Sequence, residues 1–288
     1  MTDGGLLPVP DPAGVPVLEA LITDAHVVGW AEGLHNCAEY LAARNAVVVH
    51  GVRSGWFRLI AAETNVHRAR AVDRYLAGHG PDEPSDEVVS GMWSWFRTPL
   101  AHNAALLRWL RGYNAGVPSS RRVVVAGLDV VGDGDSDGDS GGAHRDLAVR
   151  DSAQFDNLRR LASDHPGERI MVFEQTEHLD PTLPDSLGSH LTAGELGTYR
   201  VAGALWRPGD PRARYPLGPY APLAEATVRP EAVSTPLVDG ITLLPRAWAG
   251  PFDLLLMSDS LHDAPPEDHT RKCCPPARSH MRGHTSFP

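Results

Sequence analysis

The apolar and polar positions divide the chain into alternating helices and strands. VPVLEALITDA (15–25) reads as a helix and HVVGW (26–30) as the first strand. From Cys37 to Arg53 apolar residues recur at helical spacing. WFRLIAAET (56–64) is a second strand carrying Glu63 near its end. NVHRARAVDRYLAGHG (65–80) is a helix stopped by Gly80 and Pro81. An acidic loop follows, and AHNAALLRWLRGYN (101–114) is again helical. RRVVVAGLDVV (121–131) is apolar on both faces, as parallel strands covered by helices tend to be. GDGDSDGDSGG (132–142) cannot pack. A helix over 150–165, a strand over 169–178 (RIMVFEQTEH), a short helix over 187–196 and a strand over 198–206 come next. Residues 207–250 are Pro-rich and expected to be irregular, and FDLLLMSDS (252–260) is the last strand.

Strands alternating with helices predict an α/β fold of three layers, a mostly parallel sheet flanked by helices. The organisation expected is a flexible lead (1–14), one domain (15–262) with a flexible acidic loop at 132–145, and a disordered tail (263–288). The tail is rich in Pro, His, Arg and Cys and nearly free of aliphatics.

Composition narrows the function. A net charge of -10 argues against nucleic acid, which needs a basic surface, and against an anionic membrane. No apolar run approaches the roughly 20 residues that span a bilayer. The acidic, Pro-broken start lacks the features of a signal peptide, and the 3 cysteines form no disulfide framework. The expected setting is therefore the cytoplasm and the expected partner a small-molecule substrate.

In such folds functional groups collect beyond the carboxyl ends of the strands. Those ends here carry Glu32 and His35, Glu63, Asp129, and Glu174, Glu177 and His178. His35 suits a general base, because a neutral imidazole takes a proton from water near pH 7 and a carboxylate such as Glu32 or Glu63 can fix its tautomer. His178 ends a run, Glu-Gln-Thr-Glu-His, too polar for a buried strand without a cavity to face. It would steady a developing oxyanion or protonate a leaving alcohol.

The segments then resemble those of the erythromycin esterase family, in order. VVGWAEGLHNCAEY is similar to VVGLGEATHGTxEF, AAETN (61–65) to the LEAN strand end, and AVDRYL (71–76) to the helix after it. WSWFRTPLAHNAALLRWLRGYN (93–114) resembles a Trp-rich segment ending EWMRAYN, and GLDV (127–130) resembles GLDM. RDSAQFDNLRRL (150–161) resembles RDxxMAENVxWL, and VFEQTEH (172–178) falls where the family has LWAHNAH. SLGSHL (186–191) with YRVAGALW resembles SMGxxL with YxAIGF. The resemblance implies hydrolysis of a lactone ester by water that a histidine activates, with no covalent intermediate and no cofactor. By that correspondence His35 stands for the general base, Glu32 and Glu63 for site carboxylates, and His178 for the second histidine of the strand segment. Glu39, Asn36, Glu174, Gln175 and Trp95 are expected to meet the substrate. Gln175 stands where the segment has a His, and the family's helical insertion before RDS is absent, the acidic loop spanning the gap.

Other readings stay open on the residues alone. His35, His178, Glu32 and Glu63 could hold one metal ion, though no metal is expected. DGDSDGD (133–139) opens like a calcium loop but has His144 where the bidentate Glu belongs. Cys37 reads as a buried residue rather than a nucleophile. A compact relative of the family acting on a natural-product ester or lactone, by hydrolysis or by a biosynthetic cyclisation, is the preferred reading. A non-catalytic relative that binds a small molecule or a protein is the alternative.

Overall fold

A computed structural model of the protein describes residues 7–32, 38–92, 101–129, 147–206, 235–238, 241–245 and 249–258. His35, Asn36, Cys37, Trp95, the acidic loop 132–145 and the tail 263–288 lie outside them. The described chain runs α1 (Val15–Ile22), β1 (Val27–Glu32), α2 (Ala38–Ser54), β2 (Leu59–Asn65), α3 (Val66–Leu76), α4 (Asp86–Ser90), α5 (Ala101–Ala115) and β3 (Val124–Asp129). It continues through α6 (Leu147–Asp164), β4 (Ile170–Gln175), α7 (Thr176–Leu179), α8 (Leu187–Thr192), β5 (Tyr199–Trp206), β6 (Thr235–Val238), β7 (Ile241–Pro245) and β8 (Leu254–Ser258).

The sheet has 8 strands in the order β3-β2-β4-β1-β5-β8-β7-β6. The pairs from β3 through β8 are parallel, and β7 and β6 continue antiparallel. This is the expected α/β class, a mostly parallel sheet flanked by helices. β1 and β2 are buried along their whole length, which is why their sequences do not alternate. Their neighbour β4 lies between them, so the carboxyl ends of β3, β2, β4 and β1 stand side by side. No helix among the described residues is long and apolar enough to cross a membrane.

Three expectations need correcting. The acidic loop after Pro81 contains α4, which Ser85 caps by accepting from the Val88 N–H, with Asp86 and Glu87 favoured in its first turn. The stretch 207–250 was expected to be irregular but holds β6 and β7; Asp-Gly, the favoured pair for a tight hairpin, separates them in sequence. The strand expected over 169–178 ends at Gln175, and Thr176–Leu179 turns into α7. There the Thr176 hydroxyl donates to the Ala204 carbonyl at 2.9 Å, and the Tyr199 hydroxyl donates to the Leu179 carbonyl at 2.8 Å. These bonds fold the chain back over the sheet end. His178 is thereby buried and Glu177 faces outward.

β2 carries a register shift against β3: Ala62 pairs with Gly127 but Asn65 with Asp129, so Glu63 and Thr64 span a bulge. The bulge needs Gly127. A Cβ there would stand 2.6 Å from the Thr64 carbonyl oxygen and 2.8 Å from that of Asn65. Both are backbone atoms that cannot swing aside. Gly127→Ala is expected to cost about 1–3 kcal/mol, read as a lowered midpoint in urea unfolding. Gly112→Ala, where a Cβ meets nothing within 4 Å, is the control without loss.

Candidate active site

The bulge aims Glu63 at a buried cluster over the strand ends. Arg150, from the first turns of α6, lies at its centre with 7 % of its surface exposed. Its Nη2 donates to Glu63 Oε1 at 2.6 Å and to Asp129 Oδ2 at 3.0 Å, and its Nε reaches Asp129 Oδ1 at 3.3 Å. Its Nη1 lies 3.0 Å from His178 Nε2. Burial works against the guanidinium's charge, and Glu63, Asp129 and Glu174 outweigh it, so its pKa stands above that of an ordinary arginine. The other Glu63 oxygen accepts from the Gln175 N–H at 3.2 Å.

The arrangement fixes the tautomer of His178. Arginine only donates, so Nε2 must present its lone pair to Arg150. The ring proton is then on Nδ1 and goes to Asp151 Oδ1 at 2.6 Å. Asp151 is held in turn by the Leu187 N–H at 3.0 Å, at the start of α8. Asp151, His178, Arg150 and Glu63 thus form one continuous hydrogen-bonded array.

Glu174 completes the cluster differently. It is fully buried, and among the described residues neither carboxyl oxygen has a hydrogen-bond partner. Burial first, and then the Glu63 carboxylate, push its carboxyl well above the ordinary range; Arg150 opposes this.

A second grouping lies on the β1 side. Arg44 of α2 is buried, donates to Asn45 Oδ1 at 2.9 Å and Asn103 Oδ1 at 2.6 Å, and interacts electrostatically with Glu32. Burial brings its pKa down to about 10, with Glu32 pulling the other way. Glu32 is opposite Gln175 in the β1–β4 register. Glu39, half-buried at the start of α2, acts electrostatically on His102.

The structure therefore brings Glu63, Glu174 and His178 together, sets Glu32 and the half-buried Gln175 on the adjoining strand ends, and keeps Glu39 by His102. Sequence reading overlooked Arg44, Arg150 and Asp151. A signal existed for the last two. Arg150, Asp151, Gln154, Phe155 and Leu158 are all buried and recur at helical spacing, so the polar three share the inward stripe with the apolar two.

The ligand atoms of Glu63, Glu174 and His178 lie within 4.8 Å of one another, close enough to hold a metal ion. The donor set fits poorly in this arrangement. Both ring nitrogens of His178 are engaged, and Arg150 supplies the cation the carboxylates require.

Residues 52–139 match the family model described as erythromycin esterase. Over that stretch the chain is similar to the erythromycin esterase family. The match takes in Glu63 and Asp129. A crystal structure of a Bacillus cereus protein is similar at 14% identity with a TM-score of 0.60, over 85% of this chain and 90% of that one, which shows a shared fold. A His-to-Asn mutant of the erythromycin esterase EreC in its open conformation is similar at 15% identity and TM-score 0.49, over 69% and 74%. A succinoglycan biosynthesis protein is similar at 14% and 0.49, over 67% and 69%. The match to that family model is consistent with a hydrolase.

Two outcomes follow from the cluster. Arg150→Ala leaves Glu63 and Asp129 buried without their guanidinium, so a loss of about 3–5 kcal/mol is expected in denaturant unfolding. For Glu174, whose folded pKa is raised, folding takes up a proton. Its contribution to stability is therefore nil well below its ordinary value of 4.5 and becomes increasingly unfavourable as pH rises from there to the folded pKa. Glu174→Gln binds no proton, so the variant should match wild type in acid and gain on it as pH rises, read as paired urea midpoints across that range.

Proposed function

We propose that this protein hydrolyses an ester or lactone of a small-molecule natural product by general acid–base chemistry, in the cytoplasm and without a metal or cofactor. The observation that carries the reading is the buried Asp151–His178–Arg150–Glu63 array at the strand ends. It holds a guanidinium in place before substrate arrives, and a preorganised cation is what a developing oxyanion needs. The match of residues 52–139 to the erythromycin esterase model adds weight.

His35, by its correspondence to the family's general base, takes a proton from the attacking water. Glu32 steadies the imidazolium that results. Arg150 meets the carbonyl oxygen as it becomes negative. His178 donates its only ring proton in the hydrogen bond to Asp151 and accepts from Arg150, so it orients the guanidinium and the donor to the oxyanion is Arg150. Glu39, Asn36, Gln175 and Trp95 contact the substrate. A substrate hydroxyl in place of water would turn the same steps into a cyclisation or rearrangement.

The test is a mass-spectrometric screen of purified protein against macrolides, simple lactones and alkyl esters, with and without chelator. Wild type should add one water mass to a substrate, indifferent to chelator. His35→Ala should be slower by about 10²–10⁴-fold with unchanged circular dichroism. Equal turnover in that variant would remove His35 from the mechanism.

A further inference from the structure

The reaction needs a proton for the leaving alcohol, and the cluster offers few sources. Glu63 is ion-paired to Arg150 and takes a second hydrogen bond from the Gln175 N–H. His178 has committed its only ring proton to Asp151. Glu174 remains. It is a fully buried carboxyl whose two oxygens have no hydrogen-bond partner among the described residues, although its neighbours in the cluster are fixed by several bonds each. Such a group is costly as an anion and much less so as a neutral acid. The charged and titratable groups around it are Glu63 of β2, Asp129 of β3, and Arg150 and Asp151 of α6, with His178 of α7 and, across the register from the next residue, Glu32 of β1. Carboxylates outnumber guanidinium here, which again favours the neutral form.

The spacing places this acid where it can act. Three atoms mutually within 4.8 Å can all lie within about 2.8 Å of one common point, which is hydrogen-bond distance to an oxygen. Arg150, which the hydrolysis reading sets against the carbonyl oxygen, interacts electrostatically with Glu174 and bonds to Glu63 and His178, so the leaving oxygen of the same ester group comes close to Glu174.

We propose that Glu174 is the general acid of this site and protonates the leaving alcohol oxygen. The inference rests on the ester-hydrolysis reading above. Water adds to the carbonyl carbon as His35 takes its proton. The C–O bond to the leaving group then breaks, and the Glu174 carboxyl proton passes to that oxygen. The alcohol departs and Glu174 is left as a carboxylate; His35 releases the proton it took to solvent, and Glu174 takes one back from solvent. One ester and one water become one acid and one alcohol.

Two measurements test this on the full chain, with Glu174→Gln and Glu174→Ala. Infrared spectra near neutral pH should show the carbonyl stretch of a protonated carboxylic acid in wild type that both variants lack. Hydrolysis of p-nitrophenyl, phenyl and ethyl acetates should become more sensitive to the leaving group. The variants' deficit should grow with leaving-group pKa and reach about 100-fold or more for the ethyl ester. A merely structural role would slow all three esters alike. No acid band in wild type, or a deficit that does not depend on the leaving group, overturns the proposal and leaves the esterase reading intact. A wild type inactive on these acetates and on the lactone and ester panel overturns that reading, and the general-acid role falls with it; the infrared band then still reports the protonation of Glu174.

Discussion

One buried guanidinium organises this molecule. Taking Arg150 out of water is unfavourable, and it is tolerated because Glu63, Asp129 and His178 surround it at hydrogen-bond distance. The requirement works in both directions. Glu63 and Asp129 end two neighbouring strands, and neither could stay buried without a cation between them. Arg150 and Asp151 are adjacent in sequence, so seating one against the strand ends brings the other to His178. The pair thereby ties α6 to β2, β3, α7 and α8.

The surrounding packing serves that placement. Gly127 leaves room for the bulge that turns Glu63 inward, and a Cβ at Gly29 would strike the hydroxyl of Tyr199, which anchors α7. Gly188 permits the backbone of α8 to pass against Leu179. These glycines have little to do with flexibility. They are points of close approach where even one methyl group would move a charged residue.

Much of this was legible in the sequence, for a physical reason. Continuous apolar runs announce the central parallel strands, and acidic residues at their ends mark where a sheet exposes chemistry, so Glu32, Glu63 and Glu174 could be named. What failed depended on partners distant in the chain. The run Glu-Gln-Thr-Glu-His has no period of its own, and the break at Gln175 is made by hydroxyl bonds from Thr176 and Tyr199 to carbonyls elsewhere. Arg44 and Arg150 look like solvent-facing helix residues until the amide oxygens that receive the first and the carboxylates that receive the second are in view. The β6–β7 hairpin was hidden because Pro-rich flanks outweighed a short alternation around Asp-Gly.

That hairpin also ends the sheet. β6 has Pro236 in it, and Leu237 falls at an irregularity in its pairing with β7. The Leu237 carbonyl accepts from the Asp11 N–H at 2.7 Å, and Gly14 packs closely on the Pro236 carbonyl. The segment ahead of α1 therefore occupies a place where another molecule's strand could attach. Proline removes one donor from that edge and the segment takes up an acceptor. Solubility at this border is consequently a property of residues 11–14 as much as of the sheet, and a chain trimmed there would be prone to stick to its own kind while the Arg150 cluster stayed whole.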